Sequence, residues 1–174
     1  MKEYTQFSIL RYQPLIESGR QDLKTYEMTG ALMKTDSSPV QVHPVSGYAG
    51  DITASLAWQW VQSGEAVLVD VRSDAEREWV GQVPGAIALA WKQWPGMVMN
   101  AGFDEQLKAA VPAGKKVALL CRSGVRSVAA ARRASELGFA AYNILEGFEG
   151  DADAQGQRGH RGGWRFQGLP WQQP

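Results

Sequence analysis

The sequence predicts an α/β fold: a central, mostly parallel five-stranded sheet with helices on both faces. Two observations carry this expectation. Residues 66–71 and 116–120 are short, continuous apolar runs, the pattern of strands covered on both sides. Segments with helix-start signals or helical spacing separate the strand-like runs, and such alternation argues for parallel strands joined by helical crossovers.

Each element follows from its residues. Residues 51–53 lead into a largely buried helix over 54–62, with Leu56, Trp58, Trp60 and Val61 apolar, Thr53 as N-cap and Gly64 as terminator. The β-branched run 66–71 is the next strand. Ser73-Asp74-Ala75-Glu76 has the form of a capping box for a short helix reaching Val80. Val83-Pro84-Gly85-Ala86 turns the chain into a strand at 87–89. Phe103, Leu107 and Val111 recur every four residues and predict a helix over 102–111. Residues 117–120 form the central strand, 128–137 an Ala- and Arg-rich helix, and 142–145 the last strand.

Residues 1–44 differ from the rest. Pro14, Gly19 and Gly30 interrupt any long helix, and Thr35-Asp36-Ser37-Ser38-Pro39 reads as a linker. The expectation is an N-terminal extension over 1–44 without chemistry of its own, on which Tyr4, Phe7, Ile9, Leu10 and Tyr12 supply packing residues, and one domain over 45–174.

Composition narrows the function. With 174 residues, 44% of them hydrophobic, the chain is large enough for one substantial core. Lys plus Arg and Asp plus Glu number 18 each, so no bulk charge favours nucleic acid or an anionic membrane, and neither is expected as a partner. One cysteine makes no internal disulfide, and with only two histidines a structural zinc site is not expected. No metal or cofactor is expected. No stretch approaches the ~18 apolar residues of a membrane span. Phe7-Ser8-Ile9-Leu10 is halted by Arg11 and makes no secretory core, so a cytoplasmic location is expected.

The candidate nucleophile is Cys121. It follows a buried strand and opens Cys121-Arg122-Ser123-Gly124-Val125-Arg126-Ser127 ahead of a helix. In open parallel sheets, ligands sit beyond the carboxyl ends of strands. A helix start offers N–H groups without intrahelical partners, and adjacent arginines favour thiolate over thiol. Gly124 permits positive φ or close approach, Ser123 and Ser127 can donate to the sulfur, and Arg122 and Arg126 add positive charge. Val125 completes the loop, whose successive N–H groups can form an anion-binding nest.

With these elements in place, residues 45–171 resemble a single rhodanese (sulfurtransferase) domain. Leu68-Val69-Asp70-Val71-Arg72, followed by Glu76 and Trp79, resembles the family's first signature. Gly81-Gln82-Val83-Pro84-Gly85-Ala86-Ile87 resembles its second, where a His usually occupies the place of Gln82. The Cys121–Ser127 segment is similar to the active-site loop, and Gly162-Gly163-Trp164 with Gly168-Leu169-Pro170-Trp171 is similar to the ending of a bacterial single-domain subgroup.

The resemblance implies a rhodanese-like fold and a sulfur-transfer cycle. Cys121 would take the outer sulfur of thiosulfate or another small anionic donor as a persulfide, with residues 122–127 binding the donor. A thiol or cyanide acceptor, or a protein acceptor, would then remove it. The alternative is a persulfide carrier or regulatory binding module with little free turnover. Loop length sets the chain apart from tyrosine phosphatases, whose Cys and Arg are separated by five residues. Here four residues stand between Cys121 and Arg126, and Ser127 takes the place of the phosphatase Arg. A six-residue cradle suits one sulfur atom better than a phosphoryl group.

Other chemistry-bearing residues have plainer readings. Asp70 is expected to accept loop N–H bonds, and Arg72 to pair with Glu76 or Glu78. Trp58, Trp60, Trp164 and Trp171 read as packing residues, while Trp91 and Trp94 are candidates for the wall of a pocket. His160 reads as a solvated loop residue. The segment Glu146-Gly147-Phe148-Glu149-Gly150-Asp151 reads as a turn before a short helix.

Overall fold

The computed structural model describes residues 42–174. The expected linker at 35–39 and the apolar residues Tyr4 to Tyr12 lie outside the described residues. In chain order the elements are β1 (His43–Val45), β2 (Tyr48–Ile52), α1 (Ala54–Gln62), β3 (Ala66–Asp70), α2 (Asp74–Val80), β4 (Ile87–Ala88), β5 (Lys92–Gln93), β6 (Val98–Met99), α3 (Phe103–Ala110), β7 (Lys116–Leu120), α4 (Val125–Glu136) and β8 (Ala141–Ile144).

The main sheet has the order β1-β2-β8-β7-β3-β4. The five strands from β2 to β4 are parallel, as expected. A sixth, β1, pairs antiparallel with β2 and corrects the count of five. It begins at His43, ahead of the division expected after residue 44. All three of its residues are exposed, and a Pro-containing strand is tolerated there because an edge leaves one row of backbone groups unpaired.

Helices cover both faces. On one face α3 and α4 supply Phe103, Leu107, Ala130, Ala131 and Ala134 against Val69, Val117 and Leu119. On the other, α1 supplies Ala54, Leu56 and Ala57 against Leu68, Ala118, Leu120 and Ile144, joined by Phe148 and Trp164. Alternate residues of β7 thus enter opposite cores, as the period of a strand requires.

The caps form as expected. Thr53 Oγ1 accepts from Leu56 N–H. Ser73 and Glu76 make both halves of the capping box, which satisfies two N–H groups that would otherwise lack partners. The turn at residues 146–150 forms, but no helix follows it. Residues 151–172 instead run as irregular chain, with close backbone contacts at Gly162 and Gly163.

Candidate functional site

Cys121 stands immediately after β7, an interior strand, and α4 begins four residues later. Its side chain is almost fully buried and forms part of the lining of a cavity of about 840 Å³. The Gly124 N–H donates to Sγ at 3.2 Å, and the Ser127 hydroxyl oxygen lies within hydrogen-bond distance of it, also at 3.2 Å. Gly124 has φ of 90°, a left-handed conformation that glycine adopts without steric cost. That turn brings its N–H back onto the sulfur. Ser123 lines the cavity but makes no hydrogen bond to Sγ among the described residues, so the Gly124 N–H takes the role expected of it.

The loop is held from outside. Phe148 N–H donates to the Cys121 carbonyl at 2.8 Å and Glu149 N–H to the Arg122 carbonyl at 2.9 Å. With these two carbonyls engaged behind the loop, the Gly124 N–H is turned onto the sulfur, as one donor of an anion-binding nest would be. Gly147 makes the close approach possible. A Cβ there would meet the Cys121 carbonyl and come within 2.7 Å of Ser123 N. Behind Gly147, Trp164 N–H donates to its carbonyl at 2.8 Å, and the Trp164 ring is fully buried.

Arg126 lies at the cavity wall and forms a two-point pair with Glu76, at 2.7 and 2.5 Å. Burial alone would push the Glu76 carboxyl up. Hydrogen bonds from Arg126 and from the Ser73 backbone outweigh it and hold the carboxyl down at about 2. The Glu76 hydrogen bond in turn raises Arg126, and negative charge on Cys121 acts on it in the same direction. Arg122 and Val125 lie on the same wall, Val125 exposed.

Arg72 does not pair with Glu76 or Glu78. It is fully buried and forms an ion pair with Asp70 at 2.6 Å. It also donates to the Gly81 carbonyl at 2.8 Å and lies over the Phe148 ring at 3.9 Å. Asp70 Oδ1 additionally accepts the Arg72 N–H, as expected of a carboxylate ending a strand. Glu76 is not available to Arg72 because Ser73 and Arg126 engage its carboxylate.

The tryptophans divide. Trp58 packs edge-on against Trp164, and Trp60 against Tyr142. Trp91 packs on Phe103 in the core rather than at the cavity, whereas Trp94 lines the cavity. His160 is an exposed loop residue whose Nδ1 lies 2.8 Å from Asp153 Oδ2. Asn143, which belongs to none of the sequence motifs, accepts from the Ser127 hydroxyl at 2.6 Å and donates to Asp51 at 2.8 Å. The signal that marks it in the sequence is a polar residue within the strand-like run 142–145. Among the described residues, no group of three or more His, Cys, Asp or Glu is placed to hold a metal, and no helix is long and apolar enough to cross a membrane.

Comparison with known proteins identifies a family and a fold. The family model of the rhodanese-like domain matches residues 53–154. A thiosulfate sulfurtransferase, GlpE of Actinobacillus succinogenes, is 30% identical over 121 residues, covering 69% of this chain and 87% of the relative. An uncharacterized protein of Rickettsia conorii is 32% identical over 121 residues, covering 64% and 87%. The crystal structure of Rv0390 from M. tuberculosis superposes with a TM-score of 0.68 and 43% identity, over 73% of this chain and 99% of that one.

Proposed function

Since the chain belongs to the rhodanese-like family, we propose that it is a sulfurtransferase that carries sulfane sulfur as a persulfide on Cys121. The donor is thiosulfate or a related anion, and the acceptor is thiophilic: a thiol, a protein thiol or cyanide. The observation that carries this reading is the sulfur's setting. Sγ lies against the cavity with the Gly124 N–H directed at it and the Ser127 hydroxyl within hydrogen-bond distance, beside the N-terminus of α4 and a charged Arg126. These groups favour negative charge at that point. The same groups would stabilise the thiolate before attack and the terminal sulfur of the persulfide after it.

In the cycle, the Cys121 thiolate attacks the outer sulfur of the donor. A bond from Sγ to that sulfur forms, the donor's S–S bond breaks, and its electron pair leaves with sulfite when thiosulfate is the donor. The acceptor thiolate or cyanide then attacks the terminal sulfur and returns Cys121 as thiolate. No external oxidant is required.

Intact mass measured after incubation with thiosulfate or another sulfane donor tests the reading. One added sulfur, a gain of ~32 Da localised to Cys121 and lost on adding cyanide, is the expected result. The Cys121→Ser variant should show none. Folded protein that gains no sulfur from any sulfane donor would overturn it.

A further inference from the structure

Several of the large apolar side chains left exposed gather at one place. Trp79, Trp94, Met97 and Val125 are all exposed and all line the cavity beside Cys121. Trp79 and Trp94 are 70% and 60% exposed, whereas Trp58, Trp60 and Trp91 pack edge-on against other rings. Concentrated exposed apolar surface around a concave site marks a surface that a ligand covers.

The cavity, at about 840 Å³, falls in the range of about 300–1,000 Å³ usual for drug-sized ligands. Thiosulfate is small, doubly charged and without apolar surface. Seated at the sulfur-binding loop, it would leave the indole rings in water. The polar lining is chiefly cationic. Glu76 neutralises Arg126, but Lys92, Arg122 and Arg158 have no carboxylate at ion-pair distance among the described residues, and Asp151 is the other acid of the lining. The walls therefore match a molecule with an anionic head and an apolar body.

We infer that the preferred donor is an organic one, its sulfane sulfur borne on an aryl or bulky alkyl group that covers Trp79 and Trp94. The inference rests on the persulfide reading of Cys121 and specifies its substrate class. An organic thiosulfonate, R–SO2–S⁻, shows the balance. The Cys121 thiolate forms a bond to the terminal sulfur, the S–S bond breaks, and its electron pair leaves with the sulfinate R–SO2⁻. The apolar body contributes through ring contact and water release, and neither is available to thiosulfate.

The test compares kcat/KM for benzenethiosulfonate and for thiosulfate in the full chain, with cyanide as acceptor. The expected ratio favours the aryl donor by about tenfold or more, and Trp79→Ala with Trp94→Ala lowers that ratio by about tenfold. Both indoles are largely exposed, so the double variant should fold, and its melting temperature checks this. Equal constants for the two donors, or equal losses in the variant, would overturn the inference while leaving the persulfide reading intact. If neither these donors nor any other sulfane donor loads Cys121, the persulfide reading fails. Calorimetry on Cys121→Ser then decides the cavity alone: tighter binding of benzenethiosulfonate than of thiosulfate supports the apolar site, and equal or absent binding overturns it.

Discussion

Asn143 Oδ1 accepts the Ser127 hydroxyl at 2.6 Å, while Cys121 Sγ lies 3.2 Å from the same Ser127 oxygen. One proton thus faces two acceptors. The orientation of the Asn143 amide follows from its other end, where Nδ2 donates to Asp51 Oδ1 at 2.8 Å. Tyr48 donates to the same Asp51 oxygen at 2.7 Å. Burial first, and the Asp51 hydrogen bond second, push the Tyr48 hydroxyl up to about 12, so it remains a donor at neutral pH. Asn143 therefore competes with the sulfur for the Ser127 proton.

Replacing Asn143 by Leu should release that hydroxyl to the sulfur and raise the rate of Cys121 alkylation by iodoacetamide at pH 7 by about three- to tenfold, the worth of one hydrogen bond. Asn143→Asp should lower the rate, because a carboxylate holds the proton more firmly and adds negative charge. Ser127→Ala should erase the effect of the Leu change in a double-mutant cycle. Both Arg126 and Arg122 remain beside the sulfur, Glu76 faces Arg126, and Arg132 lies near Tyr48. All four are common to every variant and cancel in the comparison.

The Glu76–Arg126 pair makes stability depend on acidity. Because the folded-state carboxyl is held at about 2, below its ordinary value of 4.5, the pair stabilises the fold above about pH 4.5. That contribution fades as pH falls from 4.5 towards 2. Glu76→Gln should cost about 1–2 kcal/mol at pH 7, less than the full linkage value because the pair is partly open to solvent. The cost should shrink in denaturant melts at pH 3. Arg126→Ala should raise KM for thiosulfate several-fold, visible as a KM effect separate from kcat.

Gly147→Ala should damage both the fold and the site. The added Cβ meets the Cys121 carbonyl and stands 2.7 Å from Ser123 N, at a φ of 62° that disfavours any side chain. A loss of about 2–4 kcal/mol in urea melts is expected, in line with backbone strain combined with overpacking. Persulfide formation should fall even in the fraction that remains folded, because the loop must move to relieve the clash.

What the sequence reveals depends on distance along the chain. The loop from Cys121 to Ser127 holds nucleophile, glycine turn and hydroxyl within consecutive residues, so its chemistry is legible in the residues themselves. β3 and β7 are legible because both their faces are buried and both read as apolar runs. Asn143, Glu76 and Gly147 reach the sulfur loop only through strand neighbours and turns distant in sequence. β1 escapes notice because an exposed, Pro-containing edge has no apolar alternation. The expected Arg72–Glu76 pair fails because Arg72 precedes the Ser73 cap in non-helical chain, and its side chain turns inward to Asp70. Trp91 and Trp94 stand close together around one short hairpin arm, but only the second reaches the cavity.

Trp164 has a consequence for the order of assembly. Its backbone and indole N–H groups bond to the carbonyls of Gly147 and Pro170, and further on Gln172 bridges back to Gln82. These residues follow every strand of the sheet, so a ribosome delivers them after the cysteine and all the β-structure around it. A nascent chain can build the sheet and still lack the brace behind the sulfur loop. The reactive centre is therefore the last part of the domain to be completed during synthesis, and a polypeptide stalled short of Trp164 carries its thiol in an unfinished setting.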